Sequence, residues 1–327
     1  MTRVLSGIQP SGAVHLGNLL GALRNWAEDQ DEADTFHFLA DLHALTFPQD
    51  PAELRQTTIS LATLLVAVGI DPDRSTLFVQ SHVPQHPELA WVLQCVASYG
   101  ELSRMTAFKE KSARGDFVSA GLFTYPALQA ADILLYDADR VPVGDDQRQH
   151  IELTRNVAER FNSRYGPTFV VPEAAIPRIG ARVMDLQHPE NKMSKSVDSP
   201  QGTVFVLEDL KAVEKKIKRA VTDTETEVRF DPVAKPGVSN LLSILAACTG
   251  RTPEACAEGY EQYGPLKTDT AAAVVSVLEP IQARYRELSA DPAAMATILE
   301  KGADRARSIA SVTLERAHDH LGLVPRA

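Results

Sequence analysis

Short apolar runs alternate with helix-spaced apolar residues along the first half of the chain. Residues 2–5, 35–40 and 76–79 are rich in branched and aromatic side chains, which favour β-strands. Apolar residues recur every three or four positions after His15, and again from residue 51 to residue 69, as on one face of a helix. Strands that alternate with helices of this length predict a mostly parallel sheet.

The pattern changes near Lys192, and the second part of the chain is predicted to be all-helical. Before that point we predict helices over 87–97, 101–108 and 119–136, a strand over 140–143, and a helix over 147–165 with Asp145-Asp146 at its N-cap. Beyond it we predict helices over 207–219, 240–248, 269–285 and 304–321. The predicted fold is α/β, with a Rossmann-type, doubly wound parallel sheet in a first domain over residues 1–190. Residues 191–327 form an all-helical C-terminal domain, whose last helix packs back on the first domain.

Composition narrows the class of protein. The chain has 327 residues, of which 44% are hydrophobic and 23% charged, as in ordinary globular proteins. Its three cysteines form no C-x-x-C pair, which argues against a disulfide framework or a cysteine zinc site and favours the cytoplasm. We expect no membrane span and no secretory signal. The net charge of −10 argues against non-specific nucleic-acid binding by the whole surface, but allows a local basic face.

Two lysines three residues apart lie in the polar segment Lys192-Met193-Ser194-Lys195-Ser196. Small hydroxyl residues and the following Pro200 indicate a mobile surface loop. Lysine is a compact point charge on a flexible stem, so such a loop can bring two ammonium groups onto a polyphosphate. A merely solvated loop is the commoner explanation of this spacing, and a second phosphate-type site elsewhere in the chain favours the functional one.

That second site lies at the start of the first predicted helix, in His15-Leu16-Gly17-Asn18. A helix start offers free N–H groups and a partial positive charge to an anion. Gly17 has no side chain, so a base or phosphate can approach the backbone, and His15 can donate a hydrogen bond to a phosphate oxygen. A capping role is the commoner alternative for a lone histidine here. Neither G-x-G-x-x-G nor G-x-x-x-x-G-K-[ST] is present.

Together the two motifs resemble the HIGH and KMSKS signatures of class I aminoacyl-tRNA synthetases, with Asn18 in the last place of the first signature. More narrowly, further blocks over nearly the whole chain resemble the bacterial tryptophanyl-tRNA synthetases. These blocks are residues 6–12, 108–112, 131–134, 143–147 and 149–153. The resemblance implies a tryptophan–tRNA ligase, which forms tryptophanyl-adenylate from ATP and L-tryptophan and transfers the tryptophanyl group to tRNA(Trp). It also implies a homodimer joined through the catalytic domain and a helical anticodon-binding domain.

The resemblance implies a role for each matching residue. His15, Lys111, Lys192 and Lys195 would stabilise charge on the departing pyrophosphate. The ATP site would comprise Gln9, Pro10, Ser11, Gly17, Asn18, Gly144, Asp145, Asp146, Val183, Lys192, Met193, Ser194, Lys195 and Ser196. The tryptophan site would comprise Gly7, His43, Tyr125, Gln129, Asp132, Val141, Val143 and Gln147. ATP would enter as its Mg²⁺ complex, and no tightly bound cofactor, resident metal or zinc is expected.

The chemistry of Asp132 supports this assignment independently. Tryptophan has one polar side-chain group, an N–H donor, and a carboxylate in an apolar slot is the strongest acceptor for it. Such a site rejects analogues that lack the donor by about 10⁴–10⁵, so no editing domain is expected. An exposed acid on a helix surface is the alternative for Asp132. The family commonly has methionine where this chain has Gln129, and often an aromatic residue in place of Leu5, which affects the shape of the pocket.

Alternatives from other classes stay open at the level of sequence. They are a tyrosine-selecting relative of the same fold, a nucleotidylyltransferase, and a non-catalytic tRNA-binding paralogue. For tRNA contact, the candidate is a basic helix face that could equally be a solvated charged face. It comprises Lys211, Lys215, Lys216, Lys218 and Arg219, and a second basic cluster comprises Arg104, Lys109, Lys111 and Arg114. The apolar helix at residues 91–96 is the candidate dimer interface, or else core.

Overall fold

A computed structural model describes residues 2–106, 108–109, 118–138, 140–142, 147–175, 182–194 and 199–325. Its strands are β1 (Arg3–Ile8), β2 (Asp34–Leu39), β3 (Thr76–Val79), β4 (Arg140–Pro142) and β5 (Glu173–Ala175). They form one parallel sheet in the order β3-β2-β1-β4-β5. The order reverses between β1 and β4, and open α/β sheets bind ligands beyond the carboxyl ends of strands at such a point. The predicted α/β class is confirmed.

Helices pack against the sheet, and all named elements of the described chain beyond the lysine loop are helices. In the first part they are α1 (Leu16–Asn18), α2 (Arg24–Asp29), α3 (Asp41–Ala44), α4 (Pro51–Val68), α5 (Gln85–Val96), α6 (Tyr99–Arg104), α7 (Ala120–Leu134) and α8 (Arg148–Tyr165). A π-helical segment, Leu19–Leu23, joins α1 to α2. The later helices are α9 (Leu210–Lys218), α10 (Pro236–Thr249), α11 (Pro253–Ala257), α12 (Tyr263–Ser289) and α13 (Pro292–Leu321).

In the sheet domain, three details of the predicted elements are wrong. The helix predicted over 101–108 ends earlier, because α6 closes at Arg104 with Met105 as an extended C-cap. The N-cap of α8 is Gln147, which makes no side-chain capping bond, so the N-cap is not the Asp145-Asp146 pair. Strand β5 was not predicted, since Glu-Ala-Ala carries none of the branched or aromatic residues that mark a strand.

Two buried apolar clusters hold the elements together. One contains Leu16 and Leu77 of the sheet domain together with Leu241 of α10, and the other contains Phe36, Phe78 and residues of α13. The last helix lies so close to β3 that a Cβ on Gly302 would be 1.9 Å from the backbone oxygen of Leu77. The helix thereby covers an edge strand that would otherwise present unpaired backbone groups. Within the described ranges, no helix is long and apolar enough to cross a bilayer.

The basic face predicted on α9 needs one correction. Lys216 does not lie on that face, because it is buried, donates from Nζ to the Thr203 backbone oxygen at 2.8 Å and pairs with Glu208 at 2.6 Å. A lysine sealed in this way supports the loop that precedes the helix and cannot reach a phosphate. The exposed basic residues of this helix and its C-cap are Lys211, Lys215, Lys218 and Arg219.

Candidate active site

The helix after β1 begins with a reciprocal cap between His15 and Asn18. The Asn18 backbone N–H donates to Nδ1 of His15 at 3.3 Å, and the Asn18 side-chain oxygen accepts from the His15 backbone N–H at 3.3 Å. Because Nδ1 accepts, a neutral His15 ring carries its proton on Nε2, where it can donate to a phosphate oxygen. The capping role and the ligand role of His15 are therefore compatible, since they use different ring nitrogens.

Gly17 is tightly packed between the His15 ring and Val183. A Cβ at this position would lie 3.1 Å from Cε1 and Nδ1 of the His15 ring and 3.6 Å from Cβ of Val183. A side chain here would press on the histidine and fill the space between the helix start and Val183. The glycine therefore keeps the first helical turn open on the side that faces Val183.

The described end of the lysine loop lies against this helix start. The Met193 N–H donates to the Val183 oxygen at 3.1 Å, and Lys192 pairs with Met184 across an antiparallel bridge. Downstream, the Leu16 N–H donates to the Val204 oxygen at 2.8 Å. Val183 therefore links the two signature motifs, which lie far apart in sequence, because its backbone oxygen accepts from Met193 and its side chain lies beside Gly17. Met193 is buried and Lys192 is exposed.

Some of the remaining residues predicted for the ATP site lie within the described part of the chain, and others lie outside it. Gln9, Pro10 and Ser11 form the turn between β1 and the helix, in which Ser11 N–H donates to the Gln9 oxygen at 2.8 Å. Ser194 follows Met193, and its backbone oxygen accepts from Thr203. Other predicted residues of the two sites lie outside the described part of the chain: Lys111, Val143, Gly144, Asp145, Asp146, Lys195 and Ser196.

Asp132 is a buried carboxylate on α7 that receives several donors. Its side chain is not an exposed helix-surface acid, since only 1% of the residue is exposed. Oδ2 lies 2.7 Å from Nε2 of His43, and Oδ1 lies 2.7 Å from Nε2 of Gln80 and 2.6 Å from Nδ1 of His86. Burial alone raises the pKa of this carboxyl, but the charge and hydrogen bonds of His43 and His86 outweigh burial and lower it to about 2. Asp132 is therefore ionised at neutral pH and acts only as an acceptor.

The other residues predicted for the tryptophan site surround Asp132. Tyr125 and Gln129 lie seven and three residues before Asp132, so the three share one face of α7. The Tyr125 hydroxyl is 2.8 Å from Nε2 of His150, and burial raises the pKa of Tyr125 to about 12. The Tyr125 ring also meets His43 edge to face at 6.2 Å. These positions bring Tyr125, Gln129 and His43 together with Asp132.

Two neighbouring strands carry other residues predicted for the tryptophan site. Gly7 is exposed although it lies in the central strand β1, and a Cβ there would come within 2.4 Å of the Phe38 ring. Val141 is buried in the neighbouring β4, and Gln147 caps the helix that follows this strand. The predicted residues therefore line the carboxyl ends of β1 and β4, where the strand order reverses.

Four residues around this site were missed by the sequence analysis. Gln80 and His86 bind Asp132 directly, Tyr136 binds His86 at 2.7 Å, and His150 binds Tyr125. A signal existed for the first two, since both are polar residues that closely follow the carboxyl end of a predicted strand. Tyr136 and His150 gave no such signal, because each lies within an otherwise ordinary helical pattern.

Fold and site together define a class I synthetase core, with both signature motifs packed against Val183 and a buried acceptor at Asp132. The family model described as tRNA synthetases class I (W and Y) matches residues 1–279. The chain belongs to this family.

The individual relatives are consistent with one branch of the family. The chain is 53% identical to tryptophan–tRNA ligase 2 of Streptomyces avermitilis over 328 residues, covering 99% of this chain and 97% of that protein. The structure of tryptophanyl-tRNA synthetase from Mycoplasma pneumoniae matches with a TM-score of 0.91 at 36% identity, over 99% and 98% of the two chains. That from Campylobacter jejuni, complexed with ADP and tryptophan, matches with a TM-score of 0.85 at 35% identity, over 98% and 100%. The resemblance to bacterial tryptophanyl-tRNA synthetases is confirmed.

Proposed function

We propose that this chain is a tryptophan–tRNA ligase. The observation that carries the proposal is the buried, ionised Asp132, which lies among the residues predicted for an indole pocket and can accept a ring N–H. Relatives of the same activity match nearly the full length of the chain. The substrates are L-tryptophan, ATP and tRNA(Trp), and the product is tryptophanyl-tRNA(Trp).

In the first step, the tryptophan carboxylate attacks the α-phosphorus of ATP in line, and the bond between the α-phosphorus and the α,β-bridging oxygen breaks to release pyrophosphate. This chemistry needs positioning and charge stabilisation rather than a nucleophilic side chain. The Nε2–H of His15 donates to a phosphate oxygen, and Lys192, Lys195 and Lys111 provide ammonium charge around the departing pyrophosphate. Mg²⁺ arrives as part of the ATP substrate complex and neutralises the same oxygens.

In the second step, a hydroxyl of the 3'-terminal ribose of tRNA attacks the acyl carbon of tryptophanyl-adenylate, and AMP leaves. Residues 191–327 serve as the anticodon-binding part, and the exposed cations Lys211 and Lys215 contact tRNA phosphates. Because the proposed enzyme supplies aminoacylated tRNA to translation, we propose that it acts in the cytoplasm.

The proposal is tested by amino-acid-dependent exchange of pyrophosphate into ATP, with tryptophan and tyrosine in parallel. We expect exchange with tryptophan alone. Exchange with tyrosine alone would keep the activation chemistry and replace the substrate. A folded protein that binds tRNA but exchanges pyrophosphate with neither amino acid would be a non-catalytic paralogue.

We also propose that the chain forms a homodimer through the sheet domain. Helix α5 supports this, because Val92 and Leu93 are buried on one side while Trp91 is 68% exposed on the other. Tyr99, 77% exposed at the start of the next helix, extends the apolar surface. Sedimentation at micromolar concentration should give a dimer that Trp91→Glu converts to monomer, and a monomeric wild type would contradict the proposal.

A further inference from the structure

Oδ1 of Asp132 is held from outside its own helix. Gln80 follows β3 in a short 3-10 turn and donates from Nε2 at 2.7 Å, and His86 in α5 approaches with Nδ1 at 2.6 Å. Both side chains are completely buried. Solvent does not reach either residue, so water cannot replace Asp132 as the hydrogen-bond partner of Gln80 or His86.

The second end of each side chain fixes its orientation. Nε2 of His86 is 2.7 Å from the Tyr136 hydroxyl, and Oε1 of Gln80 accepts from the Leu42 N–H at 3.2 Å. An ionised carboxylate can only accept, so Nδ1 of His86 must donate to Asp132, and Nε2 of the same ring is directed at the Tyr136 hydroxyl, which can either donate or accept. The Gln80 amide is likewise oriented with its NH₂ towards Asp132.

The hydrogen-bonding capacity of the carboxylate can now be counted. A carboxylate offers about four lone-pair positions, two on each oxygen. Gln80 and His86 fill both positions on Oδ1, and His43 fills one position on Oδ2. One position on Oδ2 remains among the described contacts.

We propose that Gln80 and His86 are positioning residues for amino-acid selection, which fill Oδ1 of Asp132 and leave a single acceptor position on Oδ2 for a ring N–H of the substrate. The inference rests on the proposed function, because it concerns how the same pocket recognises an indole. Without the two donors, the carboxylate can rotate or take a water molecule. A substrate that lacks the ring N–H then loses less relative to tryptophan.

The test uses a matched pair of variants at His86. His86→Asn places an amide nitrogen near the position of Nδ1 and can still donate to Asp132, whereas His86→Leu has nearly the same size and no donor. For each protein, kcat/KM in pyrophosphate exchange is measured with tryptophan and with 3-(1-benzothiophen-3-yl)alanine, in which sulfur replaces the ring N–H. The measured quantity is the ratio of the two kcat/KM values.

We expect the ratio to fall about 10- to 100-fold in His86→Leu, as for loss of a hydrogen bond to a charged group, and to stay close to wild type in His86→Asn. If His86 acted only in folding, His86→Leu would lower kcat/KM equally for both substrates. An unchanged ratio in His86→Leu would therefore overturn the inference. Because a His86 variant can fail to fold, Gln80→Met provides a second loss of one donor, with the same fall expected. A wild type without tryptophan-dependent exchange would instead refute the proposed function itself.

Discussion

Buried histidines illustrate how differently one residue type behaves in this protein. His15 and His86 use their ring nitrogens in hydrogen bonds, whereas both ring nitrogens of His37 are buried without a partner among the described residues. The His37 ring stacks on Trp26 with centroids 5.2 Å apart. Burial lowers the pKa of His37 to about 3. The ring is therefore held neutral and packs as an aromatic group.

We predict that His37 makes the protein less stable in mild acid. Between about pH 6.5 and pH 3 the unfolded chain protonates this residue while the folded protein does not, so the free energy of unfolding falls as pH falls, by up to about 1.4 kcal/mol per pH unit. His37→Phe removes this contribution. Urea unfolding at pH 7 and pH 5 should show a smaller loss of stability in the variant, and equal losses would contradict the prediction.

We predict that Gln129→Met lowers the KM for tryptophan by about tenfold, because an indole then packs on a thioether instead of desolvating an amide. Gln129 lies on the pocket face of α7, one turn before Asp132. The measurement is pyrophosphate exchange over a range of tryptophan concentrations, with tyrosine as the control substrate. A rise in KM would show that the amide itself contacts the ligand.

Much of the site was predictable at the scale of single residues, but not how the residues are joined. The chemistry of Asp132 follows from its apolar neighbours and from the single donor of tryptophan. The contacts of Asp132 with Gln80 and His86 span 52 and 46 residues in sequence, and depend on how the turn after β3 and helix α5 pack against α7. Lys216 shows the same limit, because its tertiary partners Thr203 and Glu208 distinguish it from the exposed lysines around it.

At the scale of elements, long periodic helices and branched strands were predictable, while short or unusual ones were not. The strand at 76–79 and the helix at 51–68 follow directly from local pattern. Strand β5 has three residues and is defined by its pairing with β4, which local preference does not encode. The helix that begins at Pro292 was predicted to begin only at residue 304, although Met295, Ile298 and Leu299 already recur at helical spacing in its first turns.

The contact between α13 and β3 gives a test at this scale. Gly302→Ala should destabilise the protein by about 1–3 kcal/mol, since the new Cβ would collide with the Leu77 backbone oxygen. The matched control is Gly264→Ala in α12, where a Cβ meets nothing within 4 Å and stability should stay the same or rise by up to about 1 kcal/mol. Thermal or urea unfolding measures both. Equal effects would mean that the helix does not dock on this strand as described.

For the molecule as a whole, a net charge of −10 must be reconciled with a polyanionic substrate. The negative protein repels the phosphates of tRNA at long range, so tRNA must be bound by local clusters of cations. The exposed basic residues of α9 are the candidates for such a cluster.

We predict that Lys211→Ala weakens tRNA(Trp) binding and reduces the slope of log K against log salt by about 1, with pyrophosphate exchange unchanged. Filter binding at several salt concentrations measures the slope. Lys301→Ala, on the exposed surface of α13, is the control and should leave the slope as in wild type. If the slope is unchanged in Lys211→Ala, Lys211 does not contact tRNA, and the basic residues of α9 are only a solvated charged face.

The position of the last helix has a consequence for how the chain acquires its structure during synthesis. Ala303, Ala306 and Ala310 of α13 belong to the same buried cluster as Phe36 and Phe78 of the first strands. Arg305 of this helix also pairs with Asp34 at 2.7 Å, beside Arg3 near the beginning of the chain. A nascent chain can assemble most of its sheet early, but the face that carries β3 stays uncovered until Pro292–Leu321 has left the ribosome. The buried cluster around Phe36 and Phe78 is therefore completed only after this helix has been synthesised.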